Sequence, residues 1–428
     1  MVMPAQSAIT LKSCKHWAPR EAIAPKARRD KDGFVVASNG SEGCYGGWEL
    51  AYPLPKSPWV RVSVTARPQS LAYGLDSVHA ALVWEGQHAA PVYWEPLLPT
   101  GMKDGSVTYG ARAQKPATAK GLLVRLLMAW SRSGEIRWSK PEVMEAGKPK
   151  PRRWRLGAAG GPLPAGERTI KTNTEAYLGM CRRAAAQNVD LLCLPEVMLV
   201  TGMPSNPETI PQQAIPVPGK EIEPFRDFAR KNKVALCFSA WEKNAEMVHN
   251  TAILIDKRGE LVGKYRKVHL ASPLEVWWGV TPGHEFPVYE LHGARVAMNI
   301  CMDSSALESA RVPARLGAEI LCMPIMGDHR AVSKWDVGQL DFDLDRWVAI
   351  QRVRAMDNQL YMVISRNNGY GTGVFSPRGE VLALSGGAQL VHADVDLEDL
   401  PRTWTGATFR GVAWWERREP TYGPLMGR

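Results

Sequence analysis

The sequence lacks any long hydrophobic run. In a chain of 428 residues, no apolar stretch approaches the roughly 18 residues that a membrane helix needs. The N-terminal segment carries several cations but no continuous apolar core, so we expect no secretory signal. With 45% hydrophobic and 22% charged residues, the composition is typical of a soluble globular protein. Collagen-like, disordered and membrane-spanning classes are therefore excluded.

Cysteine is scarce and scattered. The seven cysteines form no Cys-x-x-Cys pair and lie far apart along the chain. An odd number at wide spacing argues against a disulfide framework, and no His/Cys cluster has the spacing of a metal site. We therefore expect free thiols, a reducing cytoplasmic location and no metal.

The charge balance is basic without a recognisable nucleic-acid-binding motif. The formal net charge is +10, from 53 Lys and Arg against 43 Asp and Glu. Much of the basic clustering lies in the N-terminal segment and in residues 148–153. Such runs are usually solvated linkers or surfaces. We expect neither a nucleic acid nor a membrane as partner.

The chain changes character near residue 150. Before this point, short alternating runs separated by turn residues predict an all-β sandwich, jelly-roll-like, over residues 34–147. Residues 1–33 are predicted to be an irregular arm, and residues 148–153 a linker. The tryptophans of this region could form a face that binds carbohydrate, but core packing is the commoner fate and is what we expect. They are Trp48, Trp59, Trp84, Trp94, Trp130 and Trp138.

From residue 154 to residue 428, strands and helices alternate, which predicts an α/β domain with helices covering a sheet. In such folds, ligands gather at the carboxyl ends of strands. Three polar residues occupy positions of this kind: Glu196 after residues 190–194, Lys267 beyond residues 261–265, and Cys301 after residues 295–300. A thiol, a carboxylate and an ammonium are sufficient for acyl transfer.

Residues 191–196, 263–270 and 299–303 resemble, in order, the three signature segments of the nitrilase superfamily of carbon–nitrogen hydrolases. Further segments agree with this resemblance, which covers about residues 155–425: they are 250–256, 317–320, 354–358 and 417–422. The resemblance implies a nitrilase-like α-β-β-α sandwich in four layers and a mechanism without a cofactor. The N-terminal region lies outside it.

The resemblance also implies roles for particular residues. Cys301 is expected to be the nucleophile, Glu196 the general base and acid, and Lys267 the group that stabilises the tetrahedral intermediate. The backbone N–H of Met302 would donate to the oxyanion. Many members of the superfamily add a second glutamate between the lysine and cysteine segments, and Glu275 is the best match.

The residues after the nucleophile bear on the substrate. Cys301 is followed by Met302 and Asp303, and this Cys-x-Asp pattern resembles amidases and carbamoylases rather than true nitrilases. Carbamoylases often continue with arginines that bind a substrate carboxylate, whereas this chain has Ser304 and Ser305. We therefore expect an amidase acting on linear amides whose acyl group is neutral or differently anchored. The alternatives are an N-carbamoyl amidohydrolase that releases ammonia and carbon dioxide, an acyltransferase, or an inactive binding protein.

The sequence also suggests two residues that could border the substrate pocket, and an oligomeric state. Trp277 could line the substrate pocket or pack at a subunit contact, and His329 could border the pocket. Relatives assemble through a two-fold interface, so the resemblance implies a homodimer or a larger even oligomer.

Overall fold

The structure is a computed structural model and describes residues 7–86, 93–331, 342–387 and 389–426. The chain divides into two compact units: one contains the residues up to Lys150 together with the segment from Leu400 onward, and the other runs from Pro151 to Asp399. Each of the seven cysteines is a free thiol. In these described ranges, no helix combines the length and the apolar character that a membrane crossing would require.

The first unit is a sandwich of two antiparallel sheets. Its strands in the described ranges are β1 (Ser13–Trp17), β2 (Lys26–Arg29), β3 (Gly33–Ala37), β4 (Tyr45–Tyr52), β5 (Trp59–Gln69), β6 (Val78–Glu85), β7 (Tyr93–Pro96), β8 (Leu98–Lys103), β9 (Ser106–Gln114), β10 (Gly121–Ala129), β11 (Glu135–Ser139) and β12 (Glu142–Ala146). One sheet has the order β1-β4-β10-β6-β7, and the other has the order β2-β3-β11-β5-β9-β8, with β12 also paired to β5. The predicted all-β region is confirmed.

The core of this sandwich follows the period of two in its strands. Val60, Val62 and Val64 on β5 are buried, as their alternation with polar residues predicts. Three of the six tryptophans also belong to this core, namely Trp48, Trp84 and Trp138. The other three, Trp59, Trp94 and Trp130, are half-buried.

The structure differs from the irregular arm predicted over residues 1–33. Within this range, β1 pairs with β4 and β2 pairs with β3, both antiparallel. Both strands lie at sheet edges and are largely exposed. Edge strands with charged side chains bury too little to show the apolar alternation by which a strand is recognised in a sequence.

The second unit contains two six-stranded sheets among its described residues. Its strands are β13 (Arg153–Ala159), β14 (Leu191–Cys193), β15 (Ala235–Asn244), β16 (Met247–Ile255), β17 (Leu261–Arg266), β18 (Val288–Leu291), β19 (Ala294–Met298), β20 (Ile320–Ile325), β21 (Tyr361–Arg366), β22 (Gly373–Phe375), β23 (Val381–Leu384) and β24 (Leu390–Asp396). The orders are β17-β16-β15-β14-β13-β24 and β18-β19-β20-β21-β22-β23. Strands β13, β14 and β15 run parallel, and so do β19, β20 and β21.

The described residues of this unit also form helices. They are α1 (Ile170–Ala186), α2 (Thr209–Gln213), α3 (Glu223–Asn232), α4 (Leu274–Trp277), α5 (Leu307–Arg315) and α6 (Leu344–Asn358). Tyr177 of α1 and Phe225 of α3 pack with Leu192 on the first sheet, while Leu191 points into the core between the sheets. Trp347 of α6 packs on the second sheet. The predicted α-β-β-α sandwich is confirmed, and strands covered on both faces explain the continuous apolar runs in the sequence.

The C-terminal segment is organised differently from the predicted domain of residues 154–428. It contains helix α7 (Phe409–Trp415) and belongs to the first unit. Two of its polar groups bind the buried Glu95 of β7: Arg402 Nη1 lies 3.0 Å from Glu95 Oε2, and the Thr408 hydroxyl donates to Oε1 at 2.6 Å. This buried carboxylate has its partners more than three hundred positions away, a distance that sequence patterns do not reveal.

Candidate active site

Two sharp turns present the carboxylate and the thiol at strand ends. Glu196 follows β14, and its neighbour Val197 has a left-handed backbone with φ of 39°. Cys301 follows β19, has φ of 45°, and begins the 3-10 helix Cys301–Ser305. A left-handed conformation costs a non-glycine residue about 1–3 kcal/mol, so packing around the turns must hold both in place. Strain of this kind is characteristic of functional turns.

Lys267 joins the two glutamates. It follows β17, and its Nζ lies 3.0 Å from Glu196 Oε1 and 2.7 Å from Glu275 Oε2. All three side chains are at least 95% buried. Asn250 Nδ2 donates to both glutamates, at 2.9 Å to each Oε1. A buried ammonium is thus shared by two carboxylates and held by a common amide.

The turn after β20 contacts both Glu196 and the thiol of Cys301. The Met326 N–H donates to Glu196 Oε2 at 3.0 Å, and Cys301 Sγ lies 3.5 Å from the carbonyl oxygen of Gly327. The side chains of Glu196, Lys267, Glu275 and Cys301, which are far apart in sequence, are therefore brought together in one buried group.

Electrostatics favour a protonated thiol at rest. Burial raises the pKa of Cys301 to about 12, and the charge of Glu196 adds to this effect while Lys267 opposes it. Burial alone would lower the pKa of Lys267, but Glu196, Cys301 and Glu275 outweigh it and raise that pKa above its ordinary value. The cation is therefore permanent at neutral pH, and the thiol needs a base to lose its proton as it attacks.

The other predicted site residues have different positions. Met302 is the second residue of the 3-10 helix, where an N–H has no partner within the helix. Trp277 is 73% exposed on α4 and does not join the buried group, so its role at a pocket or a subunit contact stays a prediction. The side chain of His329 lies outside the described part of the structure.

Asp303 has a structural role that the sequence analysis did not assign. Its fully buried carboxylate accepts from the Tyr265 hydroxyl at 2.7 Å, from the Ile300 N–H at 2.8 Å, and from His269 through both the backbone N–H and Nδ1. It also raises the pKa of His269 by this side-chain hydrogen bond. Asp303 thus ties the loop after Lys267 to the turn that carries the nucleophile.

We expect Asp303→Asn to lower kcat by about 10- to 100-fold with a smaller loss of stability, because displacement of reacting groups by about 1 Å has effects of this size. In either orientation the amide nitrogen would face a backbone N–H, that of His269 or that of Ile300, which can only donate. Tyr265→Phe removes one of the hydrogen bonds to Asp303 and should have a clearly smaller effect. Both variants are compared with the wild type by steady-state ammonia release and by thermal unfolding. An unchanged kcat in Asp303→Asn would contradict the positioning role of Asp303.

Asn250 is a second positioning residue that the sequence analysis named only as part of a supporting segment. Besides both glutamates, it contacts Ser239, whose hydroxyl donates to Asn250 Oδ1 at 3.0 Å and accepts from the Val197 N–H at 2.7 Å. The Lys267 N–H donates to the Asn250 carbonyl at 2.8 Å. Asn250 therefore sets the positions of the base and of the cation at once.

A separate group of three cysteines lies in the core between the sheets. The sulfur atoms of Cys193, Cys237 and Cys322 are within 4.8 Å of one another, and all three residues are fully buried. Thiolates at such distances can bind soft metal ions. Burial raises the pKa of Cys193 and Cys237, whereas hydrogen bonds with these two thiols lower the pKa of Cys322. All three side chains belong to the apolar core between the sheets, where a thiol packs as a small apolar group.

Comparison with known proteins identifies relatives of the second unit. The human omega-amidase NIT2 is 29% identical over 248 residues, which cover 53% of this chain and 84% of that protein. A formamidase from Bacillus cereus is 31% identical over 216 residues, which cover 50% of this chain and 58% of the formamidase. The crystal structure of a carbon–nitrogen hydrolase from Helicobacter pylori gives a TM-score of 0.53 at 22% identity, covering 64% of this chain and 99% of that chain.

A double mutant of the amidase from Nesterenkonia sp. AN1 in complex with acrylamide gives a TM-score of 0.50 at 20% identity, covering 65% of this chain and all of that chain. At these identities, the structural likeness supports the fold alone. The sequence model of the carbon-nitrogen hydrolase family matches residues 157–403. Since this match spans more than half of the chain, the protein belongs to the carbon–nitrogen hydrolase family.

Proposed function

We propose that this chain hydrolyses linear amides through a thioester on Cys301. The observation that carries the proposal is the single buried group in which a thiol, two carboxylates and an ammonium meet. Relatives named omega-amidase and formamidase support an amide as the bond that is cleaved. Every group used in the steps below belongs to the second unit.

In the first half-reaction, Cys301 Sγ forms a bond to the amide carbonyl carbon while Glu196 takes the thiol proton. Negative charge develops on the carbonyl oxygen, and Lys267 together with the Met302 N–H stabilises it. Glu196 then passes its proton to the nitrogen as the C–N bond breaks. Ammonia or an amine leaves, and the acyl group remains on sulfur as a thioester.

In the second half-reaction, Glu196 acts as a base toward water. A water oxygen adds to the thioester carbon and its proton moves to Glu196. The C–S bond then breaks, the carboxylic acid leaves, and Glu196 returns the proton to the thiolate. Glu275 shares Lys267 with Glu196, and we infer that it holds the ammonium in place through both steps.

Trapping the acyl-enzyme tests the proposal. The purified protein is mixed with a panel of linear amides, quenched with acid after milliseconds to seconds, and examined by intact-mass spectrometry. We expect a mass increase equal to the acyl group, located on Cys301 by peptide mapping, and release of ammonia at the same rate as the acid product.

The same panel separates the alternatives. N-carbamoyl compounds that yield equal amounts of carbon dioxide and ammonia, in preference to simple amides, would identify a carbamoylase and contradict the amidase proposal. An acyl group that reaches hydroxylamine but not water would identify an acyltransferase. With no adduct and no ammonia from any amide or carbamoyl compound, the proposal of a hydrolase would be wrong.

A further inference from the structure

A buried arginine near the nucleophile has no anionic partner in the part of the chain that the structure describes. Arg366 is the last residue of β21 and is 95% buried. Its guanidinium donates from Nε to the Met326 carbonyl at 3.2 Å and from Nη1 to the Tyr370 carbonyl at 2.5 Å. The guanidinium carbon also lies 3.9 Å from the centre of the Phe342 ring. Among the described residues, no carboxylate lies within ion-pair distance of Arg366.

An uncompensated charge in this position is costly. Transferring an ion from water to a protein interior is expensive unless a counter-ion is supplied. Burial lowers the pKa of Arg366 to about 10, while the sulfur of Cys301 favours the charged form. The guanidinium is therefore still protonated at neutral pH, and a bound anion would recover part of the lost solvation.

The free side of the guanidinium borders the turn that contacts the thiol. Nη2 of Arg366 would lie 3.8 Å from a Cβ placed on Gly327, and the carbonyl of Gly327 accepts from Cys301 Sγ at 3.5 Å. No described acceptor binds Nη2. The next residue, Asn367, donates to the backbone carbonyl of Glu196 at 2.8 Å. Arg366 and its neighbour thus lie beside the segments that carry the nucleophile and the base.

Arg330, another arginine near this turn, is already neutralised. Arg330 forms an ion pair with Asp328 and also donates to the backbone carbonyl of Ser304. Ser304 in turn donates to Asp328 at 2.5 Å. Ser304, directly after Asp303, therefore belongs to a closed polar network, whereas Nη2 of Arg366 has no acceptor among the described residues.

We propose that Arg366 binds a carboxylate on the acyl part of the substrate, so that the preferred substrates are monoamides of dicarboxylic acids. This inference rests on the proposed amide hydrolysis. Nη2 donates a charge-assisted hydrogen bond to the carboxylate, which directs the amide at the other end of the acyl chain toward Cys301. No bond is made or broken at Arg366, which binds the substrate and determines specificity.

Matched substrate pairs test the proposal. The monoamides of malonic, succinic and glutaric acids are each compared with the neutral amide in which an isopropyl group replaces the carboxylate. We expect the wild type to favour at least one acidic amide over its neutral partner by about 100-fold in kcat/KM. In Arg366→Met, the acidic substrate should lose about 100-fold, chiefly through KM, while the neutral one changes less than about threefold. Arg366→Lys keeps the charge and should recover part of the loss.

Three results would overturn the proposal: a wild type that prefers neutral amides, a wild type that treats both members of each pair alike, or an Arg366→Met variant that loses both activities equally. The last would indicate that Arg366 acts on the charge of the site and not on the substrate. Calorimetric binding of succinate to Cys301→Ala, with and without Arg366→Met, needs no turnover. It therefore tests Arg366 even if no amide is hydrolysed and the proposed function fails, and equal affinities in both proteins would also overturn the inference.

Discussion

Cys301→Ala is expected to reduce amide hydrolysis by at least about 10⁴-fold, because the loss of a covalent nucleophile leaves only binding and oxyanion stabilisation. No other thiol replaces it: Cys322, the next cysteine along the chain, is fully buried between the sheets. Ammonia release and the acyl adduct should disappear together. Both are measured on the same samples.

The variant should still fold. The hydrogen bond from Cys301 Sγ to the Gly327 carbonyl is weak, at 3.5 Å, and alanine removes only the sulfur from the side chain. Cys181→Ala is a matched control, since it removes a fully buried thiol from α1, far along the chain from the site. It should keep full activity with a similar change in melting temperature. Turnover in Cys301→Ala comparable to that of this control would contradict the assignment of the nucleophile.

The elements that position the site could be predicted because they are buried on both faces. The apolar run at residues 190–194 matches β14 to within one residue at each end, since a sheet covered by helices selects continuous apolar residues. The edge strand β1 was not recognised, because its side chains are mostly exposed and its stability comes from pairing with β4. Pairing between distant segments leaves no periodic signal in the sequence.

The reacting groups could be predicted from the sequence, whereas the residues that position them could not. A polar residue directly after an apolar strand pointed to Glu196, and the same signal is present in Arg366 at the end of β21. What distinguishes Arg366 is that the described residues give it no counter-ion, which only tertiary structure reveals. Asn250 and Asp303 were equally visible as polar residues, but each acts by joining segments that are distant along the chain.

Glu196→Gln is expected to lower kcat by about 10³-fold or more, because general base and acid catalysis contributes factors of 10²–10⁴ and Glu196 serves in both half-reactions. The substitution also disturbs the hydrogen bonds. Glu196 accepts from Lys267 and Asn250 on one oxygen and from the Met326 N–H on the other. An amide NH₂ must therefore face a donor in either orientation, so a loss of stability accompanies the loss of rate.

Glu275→Gln is the matched comparison, since Glu275 shares both Lys267 and Asn250 with Glu196. The charge of Glu196 raises the pKa of the Cys301 thiol, and the Met326 N–H that binds Glu196 comes directly before the Gly327 carbonyl that binds this thiol. Glu196 therefore lies on the side of the proton to be removed. We therefore expect Glu275→Gln to lose only about 10- to 100-fold and still form the acyl adduct, whereas Glu196→Gln forms it slowly or not at all. Burst-phase intact-mass measurements give the acylation rate of each variant, and thermal unfolding corrects for stability. If Glu275→Gln lost acylation while Glu196→Gln retained it, Glu275 would be the base and the assigned roles would be exchanged.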